Sequence, residues 1–425
     1  MTTTTRTPHT RKAWLRRAAA AVALAAVLGG TAAPAALAAT PAPMPTPAPA
    51  THAPAPARGT LTGITRLDTL GRAQVVDALG TLGIDPGTVR YGVTAHRLTY
   101  ATVDPFGRPT TATGLLVLPR GGPHRLDLVS DTHGTVAHRD DAPSGGAGSN
   151  RLLPYLHASA GRAVAAPDYL GLGGGPGRHP YMDTASAVTA STDMLRAART
   201  AAARLGRPLT RDVYVTGFSQ GGQVAMALGR ELQYGGHGLR LRALAPIAGP
   251  HDLLGSEIPG IADGRVAPRS AVYYLSYFLA AQHRLHPLYE DPAEVFRAPY
   301  ARSVEGLFDG SHQDAEIVTT LPGTLRELLT PEWAENVLAP RGALRTALAA
   351  NDGGCAWRPA APVRLYAGAA DTDVPIANSR ACAADLARHG ARARVVDQGP
   401  DTDHFGSAVR SAPQVVRWFD TLATR

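Results

Sequence analysis

The feature that most constrains the fold is the segment DVYVTGFSQGG at residues 212–222. The letters VYV are typical of a buried strand, and the following VAMAL is typical of a helix. Ser219 lies between the two elements, with Gly217 and Gly221 two residues away on either side. In such a G-x-S-x-G turn the serine hydroxyl projects above the edge of a sheet. The pattern predicts a nucleophile at Ser219; a glycine-rich turn with an incidental serine is the alternative.

The rest of the chain alternates strand-like and helix-like segments. Short apolar runs lie at 101–103, 114–118, 126–130, 163–166, 213–216, 243–247, 363–367 and 393–396. Helix-period segments lie at 152–160, 185–205, 220–232, 377–388 and 408–422. This alternation predicts an α/β fold with a mostly parallel central sheet flanked by helices. Ligands of such sheets bind at the carboxyl ends of the strands, where Ser219 lies.

One interval, at about 250–360, contains no obvious strand. It includes the helical patterns AVYYLSYFLAAQHRL and TLRELLTPEWAENVL. Because the interval is too long for a simple loop, it predicts a helical cap inserted over the serine. Its aromatic side chains either line a substrate pocket or pack the cap against the body, and we expect the packing role for Tyr273, Tyr274, Tyr277 and Phe278.

A serine nucleophile needs a base to take its proton and an acid to orient that base. In sheets of this kind the chain order is serine, then aspartate or glutamate, then histidine. Asp371 and Asp373 follow the strand VRLYAG, and His404 follows the strand ARVV. We therefore predict a triad of Ser219, His404 and Asp371. Asp373 is held in reserve as the acid, although it is more plausible as the cap of the next helix.

The oxyanion of the tetrahedral intermediate also needs hydrogen-bond donors. The N–H of Gln220, directly after the nucleophile, is one predicted donor. The other is the N–H of Thr135 or Gly134, in the loop after the strand LDLVS. The same loop contains metal-ligand types, but nothing fixes their geometry, and we expect no metal at His133, His138, Asp140 and Asp141.

The amino terminus has the pattern of a secretory signal peptide at residues 1–38. Five basic residues precede an alanine-rich apolar run, and ALA at 36–38 is a cleavage pattern. A twin-arginine signal at 16–17 is the less favoured alternative to general secretion. Residues 39–59 are a Pro/Ala-rich linker, so the predicted folded domain spans residues 60–425.

The net charge bears on possible partners, and the cysteine content bears on the compartment. Removing the five basic residues of the signal peptide lowers the net charge from +8 to +3, and no basic run with interleaved aromatic residues predicts nucleic-acid binding. The two cysteines, Cys355 and Cys382, predict one disulfide in an oxidising compartment. Two buried free thiols are the alternative.

The combined motifs resemble the α/β-hydrolase superfamily, and more narrowly the secretory lipases and related secreted bacterial esterases. The matching segments are HGT…APS at 133–144, APDYLGLG at 166–173, HPYMDTASAVTASTDMLRAAR at 179–199, GFSQGG at 217–222, AGAADTDVP at 367–375 and DHFG at 403–406. The nucleophile motif of this family usually has tyrosine where this chain has Phe218. The resemblance implies ester hydrolysis and a helical cap.

The sequence thus predicts a secreted serine hydrolase that acts on a small-molecule or lipid carboxylic ester. It predicts no metal or organic cofactor, no nucleic-acid partner and no stable membrane insertion after removal of the signal peptide. A serine peptidase, an acyltransferase and a binding protein with an inactive site are the alternatives. The acyl chain, the alcohol and the oligomeric state are left open.

Overall fold

The computed structural model describes residues 55–146 and 148–423. The predicted signal peptide, at 1–38, and most of the predicted linker lie outside the described residues. The end of the linker is part of the folded body, since Gly59 N donates to Ala101 O at 2.8 Å and Arg58 Nε donates to Asp193 Oδ2 at 3.0 Å.

The described residues form one nine-stranded sheet. Its strands are β1 (Leu61–Leu70), β2 (Val93–Val103), β3 (Pro109–Pro119), β4 (Leu126–Thr132), β5 (Ala163–Pro167), β6 (Leu209–Phe218), β7 (Arg240–Ile247), β8 (Val363–Ala367) and β9 (Ala393–Asp397). The order across the sheet is β1-β2-β3-β5-β4-β6-β7-β8-β9.

The sheet is parallel from β5 to β9 and antiparallel at its amino-terminal edge. The pairs β4/β5, β4/β6, β6/β7, β7/β8 and β8/β9 are parallel. The pairs β1/β2, β2/β3 and β3/β5 are antiparallel. The predicted mostly parallel sheet is therefore confirmed, although the first edge strand was not predicted and the run at 101–103 is only the end of β2.

Fourteen helices are present among the described residues. They are α1 (Arg72–Gly80), α2 (Leu152–Ser159), α3 (Thr184–Arg204), α4 (Gln220–Tyr234), α5 (Ile258–Asp263), α6 (Pro268–His283), α7 (Pro292–Val295), α8 (Val304–Leu307), α9 (Asp314–Thr320), α10 (Leu325–Leu328), α11 (Pro331–Leu338), α12 (Gly342–Ala350), α13 (Ala377–Arg388) and α14 (His404–Ala423). Short 3₁₀ turns lie at Arg139–Asp141, Ser149–Arg151 and Tyr300–Arg302, and a π turn lies at Leu253–Glu257.

The sheet has an apolar core on each face, because successive side chains of a strand point to opposite sides. On β4, the adjacent residues Leu128 and Val129 are both fully buried but belong to different clusters. Met194 of α3 packs in the cluster of Leu128, and Phe419 of α14 packs in the cluster of Val129. Helices therefore cover both faces, as in α/β folds.

The predicted cap is a group of helices, α5 to α12, all of them short except α6, and they pack around an apolar core. No strand longer than the isolated bridge between Phe296 and Leu329 lies in this described interval. The segment at 324–338 is two helices instead of one, since Thr330 is extended with ψ of 157°. Pro331 is the reason, because a residue that precedes proline avoids the helical region.

Candidate active site

The turn after β6 holds Ser219 in a strained conformation above the sheet. Its φ is 57° and its ψ is −124°, which is rare for a residue with a side chain. Ser219 N donates to Ile247 O of β7 at 2.9 Å, so the neighbouring strand holds the turn in place. A Cβ on Gly221 would lie 1.9 Å from Thr132 O, and one on Gly217 would lie 2.1 Å from Thr132 Oγ1. Both glycines are therefore required by close approach to β4.

His404 joins Ser219 to Asp371. Ser219 Oγ lies 2.8 Å from His404 Nε2, and His404 Nδ1 lies 2.7 Å from Asp371 Oδ2. Because a carboxylate accepts at Nδ1, that nitrogen carries the hydrogen and Nε2 is free to accept from the serine hydroxyl. The structure thus brings together the three residues predicted from chain order, and each is buried.

The loop after β8 gives its two aspartates different partners. Asp371 Oδ1 also accepts from Asp373 N at 2.9 Å and from Val374 N at 2.8 Å, which fixes its carboxylate. Asp373 turns away from His404 and accepts hydrogen bonds from Ser270 Oγ and Tyr274 Oη of α6. The prediction that Asp373 caps the next helix is wrong, since α13 has no side-chain cap.

The predicted oxyanion donors lie beside Ser219. Gln220 is the first residue of α4, so its N–H is one that no helical turn uses. Thr135 lines a cavity together with Ser219 and Gln220. A Cβ on Gly134 would lie 3.3 Å from Ser219 Cβ, so this loop packs directly against the turn.

Two side chains that the sequence analysis missed support this loop and this helix. His179 Nδ1 donates to Leu170 O at 2.9 Å, so Nε2 accepts from Gln220 Nε2 at 3.2 Å. Burial lowers the pKa of His179 to about 3 and keeps the ring neutral. Tyr181 Oη lies 2.9 Å from Thr135 Oγ1. Both residues fall in the HPYMD motif, which was the only signal that could have identified them.

The cavity at Ser219 has a volume of about 80 Å³. The cap supplies most of its wall through apolar side chains, namely Leu253, Ile258, Ile261, Val266, Ala271, Leu275, Phe278 and Leu348. Of the four aromatic residues considered from the sequence, Tyr274 and Phe278 line the cavity. Tyr277 instead stacks on Tyr181, with ring centroids 4.1 Å apart, and Tyr273 donates to Asp314. The expectation that all four only pack the cap is therefore wrong for two of them.

A disulfide joins Cys355 to Cys382, with the Cα atoms 5.2 Å apart. It links the segment before β8 to α13, the helix that follows the loop of Asp371. Both cysteines are buried in the core. The disulfide therefore connects the helix that follows the loop of Asp371 to the segment that precedes β8.

The four side chains of metal-binding type in the loop after β4 form no compact cluster among the described residues. His133 Nδ1 lies 2.7 Å from Gly134 O, and Asp140 N donates to His138. In the part of the chain that the structure describes, the one compact set of three ligand-type side chains is His251 with Cys355 and Cys382. The sulfur atoms of this set are bonded to each other.

Within residues 55–146 and 148–423, none of the helices has both the length and the hydropathy needed to cross a bilayer.

Solved structures of hydrolases share this architecture. A protein of Legionella pneumophila described as a hydrolase is 26% identical, with a TM-score of 0.78 over 85% of this chain and 98% of that one. The rice cell wall degrading esterase LipA of Xanthomonas oryzae is 28% identical, with a TM-score of 0.75 over 87% of this chain and 99% of that one.

A more distant structure, Candida antarctica lipase A, shares the fold at 14% identity, with a TM-score of 0.60 over 82% of this chain and 78% of that one. No protein-family model matches the sequence, and no curated protein matches it.

Proposed function

We propose that this carboxylic ester hydrolase, which has the α/β-hydrolase fold of esterases and lipases, works as a secreted serine hydrolase through Ser219, His404 and Asp371. The observation that carries the proposal is the continuous chain of hydrogen bonds from Asp371 through His404 to Ser219. Serine, histidine and aspartate in this arrangement form the constellation that activates a hydroxyl for acyl transfer.

In the proposed reaction, Ser219 Oγ attacks the ester carbonyl while His404 Nε2 takes its proton. Asp371 holds the ring in the required tautomer and stabilises the imidazolium. The N–H of Gln220 and the N–H of Thr135 or Gly134 bind the oxyanion. His404 then protonates the leaving alcohol, and an acyl-enzyme remains. Water, deprotonated by His404, attacks this intermediate and releases the acid and free Ser219.

The cavity at Ser219 favours a short, largely apolar acyl group. Its volume of about 80 Å³ is smaller than the ~150 Å³ of an apolar cavity that takes up benzene. Its wall is formed mainly by aliphatic side chains of the cap. The proposed substrates are therefore small-molecule or lipid esters whose acyl chain is short.

We propose that the protein is secreted and acts outside the cell. This proposal is supported by residues 1–38, whose pattern is typical of a secretory signal peptide. A disulfide between Cys355 and Cys382 is compatible with the oxidising compartment that export reaches.

Covalent labelling tests the nucleophile. A fluorophosphonate reacts with an activated serine and leaves a stable phosphonyl adduct. We expect one adduct per chain, found by peptide mapping on the segment that contains Ser219. An adduct on another residue, or none, would contradict the proposal. Comparing the hydrolysis of matched esters and amides, with and without an added alcohol, separates the esterase from a peptidase or an acyltransferase.

A further inference from the structure

The polar side chains of the cavity wall are mostly paired with one another. Thr135 is hydrogen-bonded to Tyr181, and Tyr274 is hydrogen-bonded to Asp373. Each pair already uses part of the hydrogen-bonding capacity of its two members. Glu257 is different.

Glu257 ends the π turn at Leu253–Glu257 and lines the cavity that contains Ser219. Its Oε1 accepts a hydrogen bond from Asn378 Nδ2 of α13. Its Oε2 has no hydrogen-bond partner in the part of the chain that the structure describes. Gln220 Oε1 also lacks a partner, but that atom is buried from solvent. An apolar pocket with an accessible unpaired polar atom in its wall can orient a ligand that carries a matching polar group.

The surroundings of Glu257 favour the protonated form of its carboxyl at neutral pH. Burial, together with the carboxylates of Asp371 and Asp373, raises the pKa of Glu257 to about 8, although the hydrogen bond from Asn378 and the charge of Arg265 lower it. Because Oε1 accepts from Asn378, the acidic hydrogen is available on Oε2. Glu257 therefore offers an O–H donor that can also accept, which a hydroxyl group matches on both counts.

We propose that Glu257 binds a hydroxyl group on the acyl chain, so that the preferred substrates are esters of short hydroxy acids. The inference rests on the proposed function, because it requires the acyl group of the acyl-enzyme to occupy this cavity. A substrate with a methyl group in place of the hydroxyl would leave Oε2 buried without a partner. The free-energy cost of this unpaired oxygen determines how strongly the enzyme prefers the hydroxyacyl ester.

Matched chromogenic esters test the inference. Nitrophenyl esters of short ω-hydroxy acids are compared with esters in which methyl replaces the hydroxyl, over a series of chain lengths. At the chain length that reaches Glu257 we expect kcat/KM to favour the hydroxyacyl ester by about tenfold, the effect of one hydrogen bond to a buried partner. A ratio near one at every length would overturn the proposal.

Two variants assign the preference to this side chain. Glu257→Gln keeps an acceptor for Asn378 and a donor toward the cavity, so the ratio should persist. Glu257→Leu removes both, and the ratio should fall to about one. Asn378 Nδ2 keeps its bond to Pro375 O at 3.2 Å in that variant, which limits the disturbance. A ratio unchanged in Glu257→Leu would refute the role of Glu257.

These assays distinguish a failure of the proposed esterase function from a failure of the proposed hydroxyacyl preference. If the wild-type protein hydrolyses none of the esters and takes up no phosphonate at Ser219, the proposed function has failed. If it hydrolyses both members of each pair equally, only the hydroxyacyl preference has failed. The wild-type series alone decides this, so the test does not depend on whether a variant folds.

Discussion

Asp371 and Asp373 lie two positions apart on one loop, yet the carboxylate of Asp371 contacts the candidate catalytic histidine and that of Asp373 contacts the cap. Asp371 Oδ2 accepts from His404 Nδ1 at 2.7 Å, whereas Asp373 accepts from Ser270 and Tyr274 of the cap helix α6. The backbone adds a third tie, since Ala267 N donates to Thr372 O at 2.8 Å. The loop that carries the candidate acid is therefore also an anchor of the cap.

Replacing each aspartate should separate the two roles. Asp371→Asn keeps an oxygen for Asp373 N and Val374 N but cannot accept from His404 Nδ1 through its NH₂ group. We expect turnover to fall by about 10⁴-fold with near-normal melting, as when a triad acid is lost. Asp373→Ala should keep most activity and lower the unfolding free energy by about 1–3 kcal/mol, because two partners lose their acceptor. Esterase assays and thermal melts check both; the opposite pattern would move the catalytic role to Asp373.

The glycine two residues after Ser219 should not tolerate a methyl group. Gly221→Ala would place a Cβ 1.9 Å from Thr132 O, so β4 or the turn must shift. We expect a loss of about 1–3 kcal/mol or more in unfolding free energy, together with a loss of turnover. Gly80→Ala is the matched control, since nothing lies within 4 Å of its Cβ position. The control should gain about 0.5–1 kcal/mol. Equal melting temperatures for the two variants would show that the turn is not sterically constrained.

The disulfide should contribute to stability mainly by restricting the unfolded chain. Its cysteines are 27 residues apart, which corresponds to roughly 3–4 kcal/mol in the chain-entropy description. We expect the double variant Cys355→Ala/Cys382→Ala to lose about that amount in denaturant unfolding. Turnover should also fall, because α13 follows the loop of Asp371. Identical unfolding curves for the double variant and the wild type would contradict this role.

His251 should make the protein less stable in acid. Both ring nitrogens lack a hydrogen-bond partner among the described residues, and burial lowers the pKa of His251 to about 4. The ordinary pKa of histidine is 6.5, so between these values the unfolded chain binds a proton that the native protein does not. The stabilising contribution is complete above pH 6.5 and is lost as the pH falls toward 4. His157 and His179, whose pKa burial lowers to about 3, act in the same direction.

Replacing His251 by leucine tests whether this histidine contributes to the loss of stability in acid. The unfolding free energy of His251→Leu should fall less steeply than that of the wild type between about pH 7 and pH 4. Urea unfolding at several pH values within this range measures both slopes. Parallel slopes would show that His251 does not contribute to the acid sensitivity.

The geometry at Ser219 was accessible from the sequence because a parallel sheet brings its strand ends to one edge. Ser219, Asp371 and His404 each follow a strand in the chain, so their convergence required no knowledge of side-chain packing. The break at Pro331 could also have been predicted, since proline restricts the residue before it.

Other features depend on contacts that no local pattern encodes. The strand β1 alternates polar and partly buried residues at the antiparallel edge, so it has no apolar run to mark it. Glu257 stands in an ordinary LLGSEIPG context, and its hydrogen-bond partner Asn378 is 121 positions away in the chain. Likewise Asp373 faces the cap only because α6 packs against its loop. These are tertiary relationships, and only the structure contains them.

The most direct test of the account is the turnover of Ser219→Ala. Alanine removes the hydroxyl that lies 2.8 Å from His404 Nε2 and leaves the turn otherwise unchanged. With a short-chain chromogenic ester as substrate, we predict that kcat falls by about 10⁶-fold relative to the wild type. The melting temperature should stay close to that of the wild type. If a correctly folded Ser219→Ala protein retains about a tenth of the wild-type rate, Ser219 is not the nucleophile and the proposed mechanism is wrong.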